Sequence, residues 1–237
     1  MCRLLVIFTK YVTPMRFYLL TLIILASCKN GNDSNQKTVV ESPQIVHSPD
    51  TAKVDTFKGN SETTEIICDT VYKNKGYKIT LRRFNEDNQD ETVPNSLFVF
   101  SKLTNGKYLP VYTDSIFNRV QDVQFADFNN DKVRDILVQN FSDVRSNWTY
   151  FLYLVDTLHN KLKKVKGFEV IKNPHYLPQY NLIDNYVMSG HIWTGFYKIQ
   201  GDSVKDFEIV IYDEQKDDDS YERAYKKALK SILTARH

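Results

Sequence analysis

Apolar and polar residues alternate along several short stretches of this chain, which is the pattern of antiparallel β-strands. Tyr77, Ile79 and Leu81 alternate with polar neighbours directly after a Lys-Gly turn at 75–76. A period of two places all three apolar side chains on one face of a strand. This stretch therefore predicts a strand with one buried face.

The next stretch predicts an interior strand and a tight hairpin. Residues 97–100 (Leu-Phe-Val-Phe) are apolar on both faces, so we expect this strand to lie centrally in its sheet. Asn105 and Gly106 then favour two successive positive φ angles, as a type I′ turn requires. The chain should turn here and return through residues 108–112.

Six further stretches complete a mainly β fold. Strands are expected at 120–126, 136–140, 148–155, 162–168, 193–199 and 207–212. Lysines at 161, 163, 164 and 166 predict a charged edge strand, which resists pairing with other chains. The pattern predicts an antiparallel β-sandwich or meander.

The C-terminus differs, because its apolar residues recur at helical spacing. Asp219 and Glu222 have the spacing of a capping box, which marks a helix start. One amphipathic α-helix should therefore close the domain, and its apolar face would contain Tyr221, Ala224, Tyr225, Ala228, Leu229, Ile232 and Leu233.

The N-terminus has the features of a bacterial lipoprotein signal peptide. Arg16 precedes an apolar core at 17–25, which is far shorter than the roughly 20 residues of a membrane span. The sequence Leu-Ala-Ser-Cys at 25–28 resembles a lipobox, which implies lipidation of Cys28 after removal of residues 1–27. An ordinary cleaved signal or a membrane anchor is the alternative, and either Met1 or Met15 could be the start.

Composition divides the rest of the chain into a tether and a domain. Residues 28–61 are mostly polar and cannot bury enough surface to fold, whereas 62–237 are rich in aromatic residues and suffice for a single β-rich domain. Removing residues 1–27 takes away three basic and no acidic residues, so the formal charge changes from +2 to −1. Nothing in this balance indicates nucleic-acid binding. Cys68 would be the only unmodified cysteine, and we expect it to be a buried, inert thiol.

An Asp-rich segment before the strand at 136–140 predicts a calcium site. Carboxylates or amides occur at relative positions 1, 3, 5 and 9, and position 7 offers a backbone carbonyl. Six to eight oxygen ligands suit Ca²⁺. The predicted ligands are Asp127, Asn129, Asp131, Val133 and Asp135. The alternative is a polar turn whose side chains bond their own backbone.

The same segment resembles the FG-GAP or VCBS-type loops of bacterial and integrin β-proteins, in which a related pattern leads into a strand. Lys132 stands where those loops usually have glycine, so a residue with a side chain would adopt positive φ beside the site. Val138 replaces the bidentate glutamate of the helix-loop-helix calcium hand.

No catalytic motif is present in the sequence, so we expect a non-enzymatic protein. The histidines are scattered, and His175 and His191 are interpreted as polar loop residues. The polar stretch 140–147 precedes an aromatic strand, an arrangement that suits a binding edge. The residues proposed to contact a partner are Asp143, Arg145, Asn147, Trp148, His191 and Trp193.

The order of these parts over roughly 64–212 resembles calcium-binding immunity proteins associated with type IV secretion, whose fold is similar to periplasmic lysozyme inhibitors. That resemblance implies an outer-membrane lipoprotein, on the periplasmic or cell-surface side, that blocks a lysozyme-like peptidoglycan hydrolase. Loops near 140–147 or 188–195 would enter the enzyme's cleft. A glycan- or peptidoglycan-binding lipoprotein and a purely structural envelope module are the alternatives.

Overall fold

Three antiparallel sheets and one α-helix make up the part of the chain that the structure, a computed structural model, describes: residues 56–59, 63–84, 90–214 and 219–235. The first sheet contains β1 (Thr56–Gly59), β2 (Thr63–Ile67), β3 (Tyr77–Arg83), β4 (Ser96–Thr104) and β5 (Lys107–Ile116). The second contains β6 (Val123–Ala126), β7 (Asp135–Ser142), β8 (Trp148–Asp156) and β9 (Lys161–Lys164).

The third sheet contains β10 (Pro174–Leu177), β11 (Leu182–Asn185), β12 (Ile192–Gln200) and β13 (Ser203–Asp213). A short 3-10 helix (Phe168–Val170) precedes it, and α1 (Ser220–Thr234) follows it. Strands within each sheet are ordered as in the chain, so each sheet is a meander. The mainly β prediction is confirmed.

The three sheets and the helix stack as successive layers. A first core lies between sheets one and two, where the Phe98 and Tyr153 rings stack with centroids 4.5 Å apart. The opposite face of sheet two contributes Leu137 and Leu152 to a second core, which includes Ile183 of sheet three. Sheet two is therefore covered on both faces, which explains why three consecutive apolar residues of its strand β7, Ile136, Leu137 and Val138, are buried.

The helix α1 covers the other face of sheet three. Phe196 and Ile211 pack there with Ala228, Leu229 and Ile232 of the helix. Fully burying a side chain of this size contributes about 1.5–3 kcal/mol, so the helix is held mainly by this apolar stripe. None of the helices in the described residues is long and apolar enough to cross a membrane.

Several local predictions are confirmed. The side chains of Tyr77, Ile79 and Leu81 are completely buried. Asn105 and Gly106 have φ angles of 51° and 76° at the turn between β4 and β5. The strand β4 lies between two neighbours, and the lysine-rich β9 is an edge strand of sheet two. Cys68 is completely buried, and this burial raises the pKa of its thiol to about 12.

The predicted capping box does not form. Asp219 occupies the position before α1, but its side chain makes no capping hydrogen bond. Its carboxylate lies 3.9 Å from the Arg223 guanidinium, and Glu222 pairs with Lys226 at 2.5 Å. Each acidic side chain therefore interacts one turn along the helix instead of with the free amides at its start.

Other boundaries are corrected by the structure. The strand expected at 162–168 ends at Lys164 and gives way to the 3-10 helix, and the strand expected from 120 begins at Val123. The strands β10 and β11 were not predicted, because each has only four residues of mixed polarity. His175 therefore lies on a strand and not in a loop.

The predicted N-terminal parts fall largely outside the described residues, including the signal peptide at 1–27 and Cys28. Within the predicted tether at 28–61, Thr56–Gly59 forms β1 and pairs with β2. The predicted tether thus contains one strand of the first sheet. Pairing with a neighbouring strand stabilises this polar stretch, which composition alone does not predict.

Candidate functional site

The Asp-rich loop connects β6 to β7 and is organised around its own backbone. One Asp127 carboxylate oxygen accepts hydrogen bonds from the backbone N–H groups of Asn129 and Asn130, at 3.1 and 2.6 Å. The other accepts the N–H of Lys132 at 2.9 Å. Asn130 and Lys132 have φ angles of 62° and 69°, so the predicted positive φ at Lys132 is confirmed.

Asp131 and Asn129 continue this pattern. One Asp131 oxygen accepts the Val133 N–H at 2.7 Å, and its other oxygen accepts the Asn129 side-chain amide at 2.9 Å. The Asn129 side-chain oxygen accepts the Asp131 N–H at 3.0 Å. The local structure is therefore a series of turns in which short polar side chains bond nearby backbone amides.

Asp135 is directed into the protein instead. Its side chain is completely buried, and its oxygens accept the N–H groups of Phe128 and Val155 at 2.9 and 3.1 Å. Burial raises the pKa of Asp135 to about 7, because a charged carboxylate is poorly solvated there; the two backbone donors oppose this shift. Asp135 thus fixes the loop to β8.

The oxygen-rich loop has the right chemistry for Ca²⁺, but the carboxylates are not gathered around one point. In the described parts of the chain, no group of three or more His, Cys, Asp or Glu side chains is arranged to hold a metal ion. All six carboxylate oxygens of Asp127, Asp131 and Asp135 accept hydrogen bonds within the protein. Calcium would have to replace some of these bonds, such as that between Asn129 and Asp131.

A second polar region forms at the opposite end of β7. Residues 143–147 lie beside residues 188–191, and we call these two segments the paired loops. Asn147, which is only 1% exposed, joins them through its side chain. Its Nδ2 donates to the Met188 carbonyl oxygen at 2.7 Å, and its Oδ1 accepts the Met188 N–H at 2.8 Å.

Two further residues support this junction. Asn173 Nδ2 donates to the Asn147 Oδ1 at 3.1 Å and to the Tyr186 carbonyl at 2.9 Å. Asn173 Oδ1 accepts the Trp148 N–H at 2.8 Å. Three segments distant in sequence are therefore locked together by amide side chains.

Asp143 holds the first loop in shape. Its carboxylate accepts hydrogen bonds from the Asn147 side chain, from the N–H groups of Arg145 and Asn147, and from Lys172. The Asn147 amide, followed by the backbone donors and Lys172, holds the pKa of Asp143 well below its usual range. Both side chains thus bond within the protein, Asn147 in a buried position and Asp143 with its side chain 25% exposed, and their contact with a partner stays a prediction.

The tip of the first loop faces solvent. Val144 is fully exposed and Arg145 is exposed, while Ser146 has a φ of 59°. Val144 was missed by the sequence analysis. Its signal was present, since it is the only apolar residue in 142–147.

The remaining predicted contact residues lie on or beside the second loop. His191 is exposed, and its ring lies edge-on to Tyr212 with centroids 6.4 Å apart. Trp193 is half-buried and pairs with Val187 through two backbone hydrogen bonds. Trp148, also half-buried, begins β8 directly after the first loop. The structure thus brings Arg145, His191 and both tryptophans to the same pair of segments.

Comparisons with known proteins add little to this geometry. No protein-family model matches the chain, and no curated protein matches it. A solved structure of a Xanthomonas type IV secretion system related protein is similar, with 14% identity over 69% of this chain and 88% of that chain and a TM-score of 0.41. A structural similarity this distant does not indicate what this chain does.

Proposed function

We propose that this protein is a binding module that engages a partner protein through the tip of the paired loops. The observation that carries the proposal is the contrast between Asn147 and Val144. Asn147 is buried and fixes the loop, whereas Val144, three residues earlier, is fully exposed. An apolar side chain presented on a fixed loop suits the anchor of an interface.

The fixed loop supports affinity because little order has to be created on binding. Association normally costs free energy for ordering loops and side chains, and a preorganised segment avoids much of that cost. The hydrogen bonds of Asn147, Asn173 and Asp143 order this loop in the free protein. Val144 would then enter an apolar pocket of the partner, and Arg145 would contact its polar rim.

We propose a lysozyme-like peptidoglycan hydrolase as the partner. Support comes from the sequence resemblance to envelope immunity proteins and from the fully exposed Val144 on a loop that Asn147 fixes. The protein would act by occupying that cleft, with no chemistry of its own. Lipidation at Cys28 would hold it at the outer membrane, on the side where such enzymes work.

Inhibition assays on lysozyme-like hydrolases test this proposal. The full chain should slow hydrolysis of peptidoglycan, and Val144→Asp should weaken inhibition at least about tenfold, because it places a charge in an apolar pocket. Leu158→Asp is the matched control, since Leu158 is 83% exposed on a different turn. If no hydrolase is inhibited, or if both variants inhibit equally well, the paired loops are not the interface.

Calcium binding at the Asp-rich loop is a separate proposal. Asp127, Asn129, Asp131 and the Val133 carbonyl would supply the oxygens, and Asp135 would hold the loop in place. The spacing of these residues supports the proposal, and Lys132 opposes it by placing a cation next to the ligands. A bound ion would stiffen the β6–β7 connection.

A further inference from the structure

An open groove lies at the end of β8, between the Asp-rich loop and the edge strand β9. Its volume is about 600 Å³, and sites for small ligands typically measure about 300–1,000 Å³. In sheet two, β8 lies between β7 and β9. The loop that leads into β7 and the side chains of β9 therefore flank the groove on opposite sides. Its lining includes Asn129, Asp131, Leu154, Leu158, Lys161 and Lys163.

The lining residues of β8 and β9 share one face of sheet two. Leu154 packs against the second core, and Lys163 is directly opposite it on β9. Asp156 and Lys161 are also directly opposite each other, two residues further along each strand. Alternate residues of a strand point to the same face, so both lysines lie on the same face as Leu154.

The ammonium group of Lys161 is available to a ligand. Asp156 lies directly opposite, but its carboxylate is occupied by the turn that follows β8. It accepts the N–H groups of Leu158 and His159, both at 3.0 Å, and lies 2.6 Å from the His159 Nδ1. Among the described residues, Lys161 therefore has no ion-pair partner.

Lys163 differs from the other two lysines near it in the chain. Lys164 pairs with Asp114 at 2.6 Å, and Lys166 pairs with Asp202 at 3.3 Å. Lys163 forms no such pair with any residue that the structure describes. Lys161 and Lys163 are both exposed, so β9 presents two unpaired positive charges on one side of the groove.

The loop side of the groove is negative. Asp131 is exposed, and each of its carboxylate oxygens accepts one hydrogen bond within the loop. A carboxylate oxygen accepts two hydrogen bonds, so each retains one acceptor position. The groove thus has a carboxylate on one side, two ammonium groups on the other, and the apolar side chains of Leu154 and Leu158 in its lining.

We infer that this groove binds a small zwitterion, which is an amino acid or a short peptide with both ends free. The ligand carboxylate would bind between Lys161 and Lys163, and its ammonium group would donate to Asp131. Its apolar side chains would contact Leu154 and Leu158. A simple anion or cation would meet a like charge on one side of the groove, whereas a zwitterion complements both sides. The paired loops lie at the opposite end of β7, so this site does not depend on the hydrolase proposal.

Isothermal titration calorimetry with the dipeptide Leu-Leu tests the charge requirement. The full chain should bind it saturably. A chelator is included, because Asp131 is also a proposed calcium ligand. N-acetyl-Leu-Leu lacks the ammonium group and Leu-Leu amide lacks the carboxylate, so each should bind at least about tenfold more weakly.

Substitutions on β9 test the location. Lys161→Gln should weaken binding of Leu-Leu at least about tenfold, because it removes a charged partner of the carboxylate. Lys161→Arg keeps the charge and should retain binding. Lys107→Gln is the matched control, since Lys107 is an exposed lysine at the start of β5 and should not affect binding.

Three outcomes would each overturn the inference. These are the absence of saturable binding, equal affinity for Leu-Leu and either capped form, and equal affinity of the Lys161→Gln and Lys107→Gln variants. Thermal melts of each variant establish that the fold is intact. Lys161→Gln should retain hydrolase inhibition and Val144→Asp should retain dipeptide binding, so failure of one proposal is distinguishable from failure of the other.

Discussion

The side-chain amide of Asn147 bonds the backbone of Met188, 41 residues further along the chain, in the way that a neighbouring strand would. It bonds both the N–H and the carbonyl of Met188, at 2.8 and 2.7 Å. The two segments therefore meet through one side chain, and this contact shapes the surface that carries Val144.

Asn147→Ala should accordingly destabilise the protein by about 2–4 kcal/mol, because it leaves the partly buried N–H and carbonyl groups of Met188 without their partner. Urea unfolding measures this change. Arg145→Ala, in the same loop but exposed, should alter stability by less than about 0.5 kcal/mol. Equal effects of the two substitutions would show that Asn147 does not hold the paired loops.

Lys132→Gly should strengthen the response to calcium. The substitution removes a cation beside the proposed ligands and places glycine at a φ of 69°. Calcium at a hundredfold excess over its Kd should stabilise the protein by about 2.7 kcal/mol, visible as a higher melting temperature that a chelator reverses. Glycine at 132 should lower the calcium concentration required.

Asn130→Gly is the matched control for that experiment, since Asn130 has a similar φ of 62° but no charge. It should respond to calcium like the parental protein. If calcium and chelator leave all three melting temperatures unchanged, the Asp-rich loop is a turn and not a metal site.

His175 should make stability depend on pH. Its ring nitrogen lies 2.8 Å from the Asp184 carboxylate, and this hydrogen bond raises the pKa of His175. The folded protein thus binds the proton more tightly than the unfolded chain. The resulting stabilisation is fully present below the unfolded pKa of about 6.5 and disappears as the pH rises through the raised folded value.

Urea unfolding at a series of pH values, compared with His175→Gln, isolates this effect. Parental protein should exceed the variant in stability at pH 5.5, and the difference should shrink towards pH 9. A constant difference across this range would assign His175 a role in packing alone. The effect should be modest because the His175 side chain is 58% exposed.

Cys28→Ser should release the protein from the membrane fraction. Only the cysteine thiol accepts the lipid, so serine leaves a chain with no acyl anchor. Fractionation of cells that express the full chain measures this, with Cys68→Ser as the control at a cysteine remote from the signal. Retention of the Cys28 variant in membranes would indicate an uncleaved anchor.

Local sequence patterns were sufficient to predict the structure wherever residues close in the chain decide it. The alternation at Tyr77, Ile79 and Leu81 determined a buried strand face, and Asn105-Gly106 determined a hairpin, because both depend on residues close in the chain. The positive φ at Lys132 followed from its position in a turn pattern. The apolar spacing of α1 likewise determined its buried face, except that Leu233 is 51% exposed, and the capping contacts of Asp219 differed from the prediction.

Tertiary structure alone decided how the polar residues are used. The sequence predicts Asp135 as a metal ligand and Asn147 as a partner contact, yet both side chains are buried and bond backbone groups of Val155 and Met188. The strands β10 and β11 form because they pair with each other and with β12, and because apolar residues from distant segments pack on them. These outcomes depend on the burial of each side chain and on donors far away in sequence. Neither is encoded in the spacing of adjacent residues, so only the packed layers determine which polar groups remain at the surface.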